Sequence, residues 1–278
     1  MQSDPARAKL RELDALLRSM GGAREIGVAL SGGVDSMTLA AAAHRALAHR
    51  AVMYHAQSPA VPQEATERVK AMAAASGWRL EVFDAGEFRR TEYLANPLDR
   101  CFYCKTSLYG AISARTAAQL VSGTNLDDLS EYRPGLRAAD EHAVRHPFVE
   151  VCASKDAVRA MARELGLGGI AELPAAPCLS SRIETGIRID AATLSLVHAS
   201  ERLVGAAVAA NTVRCRVRAS GVVLELDAAT LEGIEAARRA ELATEVGGLF
   251  ARAGLARPVS FAPYRNGSAF LVRGDERP

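Results

Sequence analysis

Aromatic residues are scarce, 5% of 278 with a single tryptophan, and there are only five cysteines. So few thiols in so long a chain do not build a disulfide framework, and they read as cytosolic thiols or metal ligands. No stretch approaches the roughly 18 uninterrupted apolar residues that a membrane span needs, so no membrane partner is expected. Asp4, Arg7, Lys9, Arg11, Glu12 and Asp14 punctuate the first residues. That leaves no apolar core for a signal peptide, and a cytoplasmic location is expected. An excess of charge is also missing. Lys plus Arg number 34 against 32 Asp plus Glu, a net +2, too little for a dedicated duplex-binding domain, and no nucleic-acid partner is expected. Repeats and low-complexity tracts are absent as well.

What is present is an ordinary globular balance, 49% hydrophobic and 24% charged, in a chain long enough for about two domains at ~150 residues each. Leu10, Leu13, Leu16, Leu17 and Met20 recur at helical spacing ahead of Gly21-Gly22. Glu25 to Leu30 has strand length and composition, and a Ser/Gly turn and an Ala-rich helix from Met37 to Leu47 follow. The alternation continues through Ala51–Ala56, a helix over Gln63–Ser76, Arg79–Phe83, a helix after Cys104, and Gln119–Ser122. Strands separated by helices imply an α/β fold with a doubly wound parallel sheet, which takes ligands at the carboxyl ends of its strands. Pro, Ser and Gly concentrate between Pro174 and Ile189, which divides the chain into 1–185 and 186–278. The second part reads as a smaller α+β domain. It has a helix over Thr193–Ala210, a hairpin of Val213–Arg218 and Val222–Asp227, a helix over Leu231–Phe250, and one or two strands within Val259–Leu271.

Ser31-Gly32-Gly33-Val34-Asp35-Ser36 lies between a strand and a helix, the place of a phosphate-gripping turn. Glycines let backbone N–H groups approach an anion, the helix start adds its positive dipole end, and the Ser31 and Ser36 hydroxyls can donate to phosphate. Asp35 can reach a magnesium ion on those phosphates. The lysine of a Walker loop is missing, so this is not a kinase or GTPase loop. Gly123-Thr124-Asn125-Leu126-Asp127-Asp128 follows the fourth strand, on the same sheet edge, where Asp127 and Asp128 can bind magnesium or orient a nucleotide. Ser154-Lys155-Asp156 opens a helix, and Lys155 can meet a phosphate.

Cys101 and Cys104 form a C-x-x-C, a pattern that suits zinc, a redox pair or two ligands of an iron–sulfur cluster. His142 and His146 have a spacing that could complete a zinc site, but that reading leaves Cys178 without a role. Three cysteines suit a cluster with one open iron better. Cys152 and Cys215 sit in apolar alternation and read as core residues. Arg214, Arg216 and Arg218 alternate along one strand, hence share a face, with Glu225 and Asp227 on the polar side of the partner strand. Pattern alone allows this to be a solvated set of ion pairs.

The hexapeptide SGGVDS after a strand resembles the PP-loop ATP pyrophosphatases. Taken with RCFYCK, GTNLDDLSEYRPGLRAA, PAAPCLSSR, VRCRVR and YRNGS, the chain resembles the LarE family of ATP-dependent sulfurtransferases in nickel-pincer nucleotide biosynthesis. The resemblance implies an enzyme that adenylates a carboxylate of a pyridinium-3,5-biscarboxylate mononucleotide, releases pyrophosphate, and leaves a thiocarboxylate. It implies ATP and magnesium at Ser31, Gly32, Gly33, Asp35 and Ser36, with Gly123, Thr124, Asn125, Asp128 and Lys155 completing the nucleotide site. Cys178, with Cys101 and Cys104, would handle sulfur through a four-iron four-sulfur cluster, Cys178 alone being the sacrificial sulfur source in other members. Arg182, Arg214, Arg216, Glu225 and Arg265 would hold the anionic substrate. The family also implies a homo-oligomer, a hexamer, and lactate racemase maturation as the downstream use. Two rivals stand beside it. A PP-loop tRNA thiolase would use the same cysteines, but no basic arm or zinc appendage is visible near the termini. A catalytically silent nucleotide- or metal-binding regulator would not need an intact SGGVDS with three placed cysteines.

Overall fold

The computed structural model describes residues 5–130, 132–174 and 177–270. The chain forms two compact units. One runs to Arg90 and resumes over Cys101–Ala176, and the other combines Thr91–Arg100 with the chain from Pro177 onward.

The first unit opens with helix α1 (Pro5–Gly21), strand β1 (Ile26–Ala29), helix α2 (Val34–Leu47), strand β2 (Ala51–Ala56), helix α3 (Gln63–Ser76) and strand β3 (Arg79–Phe83). After a short helix α4 (Thr91–Leu94), which belongs to the second unit, come α5 (Arg100–Ser113), β4 (Gln119–Ser122), α6 (Gly135–Glu141), α7 (Pro147–Glu150) and α8 (Lys155–Glu164). The four strands form one sheet in the order β3-β2-β1-β4, every pairing parallel. The β1 side chains alternate between two cores. Ile26 and Val28 join Leu13 and Leu17 of α1, Met37 of α2 and Val158 of α8. Ala29 joins Tyr54, Tyr109, Ile112 and Leu120 on the opposite side. Both faces of the sheet are thereby covered, as a parallel sheet requires, and each fully buried Leu contributes about 1.5–3 kcal/mol. Because β2 and β3 lie to one side of β1 and β4 to the other, the strand order reverses between β1 and β4. The loops that leave those two strands meet there.

The second unit carries α9 (Ala191–Ala207), β5 (Val213–Arg218), β6 (Gly221–Leu226), α10 (Ala228–Gly233), α11 (Ala236–Arg252) and β7 (Val259–Pro263). The β5–β6 hairpin is antiparallel and β7 adds to β6 in parallel, giving a three-stranded sheet. Caps set the helix starts. Asp190 accepts the Thr193 N–H at 2.8 Å, and Asp227 accepts those of Thr230, Asn211 and Thr212.

Several sequence expectations are corrected. Asp227 is the N-cap of α10, saturated by backbone N–H groups, and not a member of a charged strand face. The helix expected over Leu231–Phe250 is two helices, broken at Ile234, whose extended backbone (φ −84°, ψ 123°) follows helix-weak Gly233 and sinks the isoleucine into the core. The C-x-x-C lies inside α5 and not ahead of it, because Pro97 starts the turn that leads into the helix and its carbonyl accepts the Arg100 N–H at 3.1 Å. Cys215 is buried as expected, and burial pushes its thiol pKa well above the usual range. Cys152 is exposed, in a left-handed turn (φ +50°) after α7 and not in a strand. Leu271 and Asp4 lie outside the described residues.

Candidate functional site

The candidate site is built at the switch point of the first unit. Leu30 ends its strand by donating to the Tyr54 carbonyl, and the chain then turns through Gly32 (φ +84°) into α2. A side chain at Gly32 would need that left-handed backbone and would put Cβ 2.9 Å from the Ala65 carbonyl of α3, so only glycine fits. Gly33 is the N-cap of α2 with ordinary φ (−83°), and it offers no side chain to the first N–H groups of the helix. These donors and the helix dipole form a cradle for an anion. Gly123, the residue after β4, seats against the helix start, where a Cβ would lie 2.8 Å from the Ser36 nitrogen and 2.9 Å from the Asp35 carbonyl carbon.

The serines brace the turn. Ser36 Oγ accepts the Ser31 N–H at 3.1 Å, donates to the Gly33 carbonyl, and lies 3.0 Å from Ser31 Oγ. Ser36 is buried and Ser31 exposed, so of the two hydroxyls Ser31 is the one turned toward solvent. The Asp35 carboxylate sits between Lys155 Nζ, with which it forms an ion pair, and Asn125 Nδ2 at 3.3 Å. Asp127 accepts the Lys155 N–H and Asp128 accepts the Asn125 N–H while pairing with Arg133 at 2.7 Å. Asp127 and Asp128 thus shape the β4 loop. Thr124 Oγ1 lies 3.1 Å from Ser122 Oγ. The structure therefore brings Ser31, Gly32, Gly33, Asp35, Ser36, Gly123, Asn125 and Lys155 together.

Two groups behind the turn carry no sequence signal. His55 is buried, with Nδ1 2.8 Å from the Leu30 carbonyl and Nε2 2.9 Å from Thr66 Oγ1. A carbonyl can only accept, so Nδ1 carries the proton and Nε2 accepts from Thr66. Burial holds the His55 pKa below its ordinary value. Arg68 of α3 donates to the Gly32 carbonyl at 2.8 Å.

Cys101 and Cys104 lie three residues apart on α5, so they share one face, half-buried. His146 Nδ1 is 2.8 Å from Ser122 Oγ, and burial holds its pKa low. His142 lies beside Tyr109. Among the described residues no three or more His, Cys, Asp and Glu side chains are grouped to hold a metal ion, so neither the zinc arrangement nor a formed cluster cage is seen.

In the second unit Cys178 precedes a short 3-10 helix, Leu179–Arg182, and is half-buried. Arg182, 3% exposed, holds this loop. Its Nη1 donates to the Pro177 and Cys178 carbonyls and to Ser181 Oγ, while Nε and Nη2 grip both oxygens of Glu201 at 2.9 and 3.2 Å. Glu201 also accepts the Cys215 N–H, and nothing in its sequence neighbourhood marks it for this role. Arg216 is buried against Glu225 (3.0 Å) and the Ser181 carbonyl (3.0 Å). Glu225 further accepts from Arg218 and Ser268. The charges of Arg182 and Arg216 are thus matched inside the protein, and both act on the loop that carries Cys178. Arg214 shares the strand face of Arg216 and reaches over Tyr264, with its pKa lowered by burial and by the charge of Arg182. Arg265 is exposed, and its carbonyl receives Arg216 Nη2 at 3.5 Å. No described helix is long and apolar enough to cross a membrane.

No family model matches the chain. It is 38% identical over 178 residues to the uncharacterized protein slr1717 of Synechocystis sp., covering 63% of this chain and 66% of that one. It is 25% identical over 197 residues to the uncharacterized protein MJ0830 of Methanocaldococcus jannaschii, covering 69% and 74%. It is 27% identical over 192 residues to the pyridinium-3,5-bisthiocarboxylic acid mononucleotide synthase of Lactiplantibacillus plantarum, covering 67% and 69%. The chain spans about two thirds of the length of the curated relatives it matches.

Proposed function

We propose that this chain, which is similar to a pyridinium-3,5-bisthiocarboxylic acid mononucleotide synthase, is an ATP-dependent sulfurtransferase of the LarE family. It adenylates a carboxylate of a pyridinium-3,5-biscarboxylate mononucleotide, releases pyrophosphate and inserts sulfur to give a thiocarboxylate. The carrying observation is the uncapped glycine turn at the start of α2, closed by Gly123, with Asp35 held between Lys155 and Asn125. ATP phosphates fit the donors of that turn, and magnesium, supplying charge neutralisation when bound, would be held by Asp35. Lys155, paired with Asp35 here, would offer its charge to a phosphate when magnesium is bound.

In the reaction a substrate carboxylate oxygen bonds to the α-phosphorus while the bond to the bridging oxygen breaks and pyrophosphate leaves. A sulfur nucleophile then adds to the acyl carbon and AMP departs. Arg214 anchors an anionic group of the substrate, and Arg182, Arg216 and Glu225 hold the Cys178 loop. Sulfur handling is assigned to Cys178 with Cys101 and Cys104. Their joint ligation of a four-iron four-sulfur cluster rests on the cysteine pattern, and no step here runs through it. The same proposal includes a homo-oligomeric, cytoplasmic enzyme.

The experiment is product analysis. Wild-type protein with ATP, magnesium and the dicarboxylate mononucleotide should release pyrophosphate and AMP, and Asp35→Ala should release none. ADP with inorganic phosphate as products sinks the proposal. Arg214→Ala should raise the substrate KM by about 10- to 100-fold with nucleotide affinity intact. Anaerobic spectra with iron and sulfide analysis, and the intact mass after turnover, separate a cluster from sacrifice. Conversion of Cys178 to dehydroalanine, a loss of ~34 Da, with full activity retained in Cys101→Ala, overturns the cluster assignment.

A further inference from the structure

The phosphate turn has no lysine of its own, and Lys155, which reaches it from α8, is matched by Asp35. A second cation meets the turn from α3. Arg68 donates one N–H to the Gly32 carbonyl, and among the described residues it has no carboxylate partner. Helix α3 forms a wall of the turn. A Cβ on Gly32 would lie 2.9 Å from the Ala65 carbonyl and 3.2 Å from Val69, and Ala65, Arg68 and Val69 share one helical face. Thr66 is fixed to His55, which in turn holds the Leu30 carbonyl just before the turn. The Arg68 backbone is therefore tied to the same strand end from which the turn departs. A guanidinium has five N–H donors, and one on Gly32 leaves four for oxygen ligands.

We propose that Arg68 is a catalytic residue of the adenylation step, binding the β,γ-diphosphate as it leaves. This rests on the ATP reading above. When the carboxylate oxygen bonds to the α-phosphorus, the bridging P–O bond breaks and its electron pair stays on the departing diphosphate. No proton or electron carrier is needed for that balance. Negative charge grows on the leaving group, and a cation whose charge no acid cancels stabilises it more in the transition state than in the ground state.

The test measures binding of magnesium pyrophosphate and of AMP, each alone, to the full chain carrying Arg68→Gln or Arg68→Lys. Gln keeps an N–H for the Gly32 carbonyl and removes the charge, whereas Lys keeps the charge and loses the fork. Arg68→Gln should weaken pyrophosphate about 10- to 100-fold, leave AMP unchanged, and lower kcat for pyrophosphate release ~100-fold without changing the KM of the carboxylate substrate. Arg68→Lys should recover part of that loss, and it carries the comparison alone if Arg68→Gln does not fold. Unchanged pyrophosphate binding in both variants, or an equal loss of AMP and pyrophosphate, overturns the assignment. Failure of the wild type itself to bind either ligand or to release pyrophosphate refutes the ATP reading instead.

Discussion

The two glycines of the turn before α2 look equivalent in sequence, yet their reasons for being glycine differ. Gly32 is held in the left-handed region with α3 against it, so Gly32→Ala should destabilise the fold by about 1–2 kcal/mol from the backbone alone. Gly33 has a backbone any residue adopts, and the atom nearest to where its Cβ would stand, Ser31 Oγ, is an ordinary 3.6 Å away. Gly33→Ala should melt like the wild type and fail to bind ATP, because the methyl group fills space that a phosphate needs. Urea titration and nucleotide binding on both variants check this pair, and equal behaviour in the two assays would refute it. His55 adds a pH dependence. Its folded pKa is depressed by burial, so the neutral ring contributes stability that is fully present above the unfolded value of about 6.5 and is lost as pH falls from there toward the folded pKa. His55→Asn, whose amide can still donate to Leu30, should flatten that acidic limb in melting curves taken between pH 7 and 5. A limb of unchanged slope assigns the proton uptake elsewhere. The glycine turn is legible in the sequence because its spacing is local, and Lys155 because it opens a helix after a serine. His55 and Arg68 are not, since each becomes relevant only when β2 and α3 pack behind β1.

At the scale of elements, Arg182 makes most of the side-chain bonds that fix the short loop bearing Cys178, with Arg216 on the Ser181 carbonyl and Tyr93 on Ser180 beside it. One guanidinium fixes two loop carbonyls and grips the α9 carboxylate of Glu201, which is itself tied to the β5 backbone through Cys215. Arg182→Ala leaves Glu201 charged and largely buried without its partner, and removing one member of a buried pair costs about 3–5 kcal/mol. The loss should appear in urea titration of the full chain together with faster alkylation of Cys178, while ATP binding in the other unit is retained. Slower or unchanged alkylation would show that the loop holds its shape without the arginine. Here too the sequence informs selectively. Alternation of apolar runs and helical spacing identify all four parallel strands and the hairpin, because both patterns are read within a few residues. The same patterns place Glu225 on the strand facing Arg216 but leave the partner of Arg182 unread, because Glu201 is brought to it only by the packing of α9. The break at Ile234 is hidden for a related reason: the apolar spacing continues across it, and only tertiary burial of that side chain favours extended backbone there.

For the whole molecule, the consequential feature is that the chain passes into the second unit twice, first for the ten residues Thr91–Arg100 and again from Pro177. Composition marks only the later crossing, with its Pro and Ser cluster. The first one works through Asn96, which adopts φ +55°, a conformation asparagine tolerates better than most residues. Its amide donates to the carbonyls of Ile183, Glu184 and Ile187, its oxygen accepts from buried Arg100 at 2.7 Å, and Tyr93 bonds Ser180 at 2.6 Å nearby. Backbone bonds from Gly186 to Asn96 and from Ile189 to Leu94 complete the attachment. The strand-poor segment 183–189 thus depends on residues almost ninety positions before it, and a long loop closure precedes its order. Asn96→Ala removes the side-chain bonds and puts alanine in a left-handed backbone, so local opening of this segment should become easier. Hydrogen exchange at the Gly186, Ile187 and Ile189 amides should accelerate about 5- to 150-fold, in line with losing ~1–3 kcal/mol for a buried polar group left unpaired. The Leu30 amide, bonded to Tyr54 in the other unit, should exchange as in the wild type. Acceleration shared by Leu30 would mean that the two units open as one cooperative body, and unchanged exchange at all four amides would show that the backbone bonds alone hold the segment.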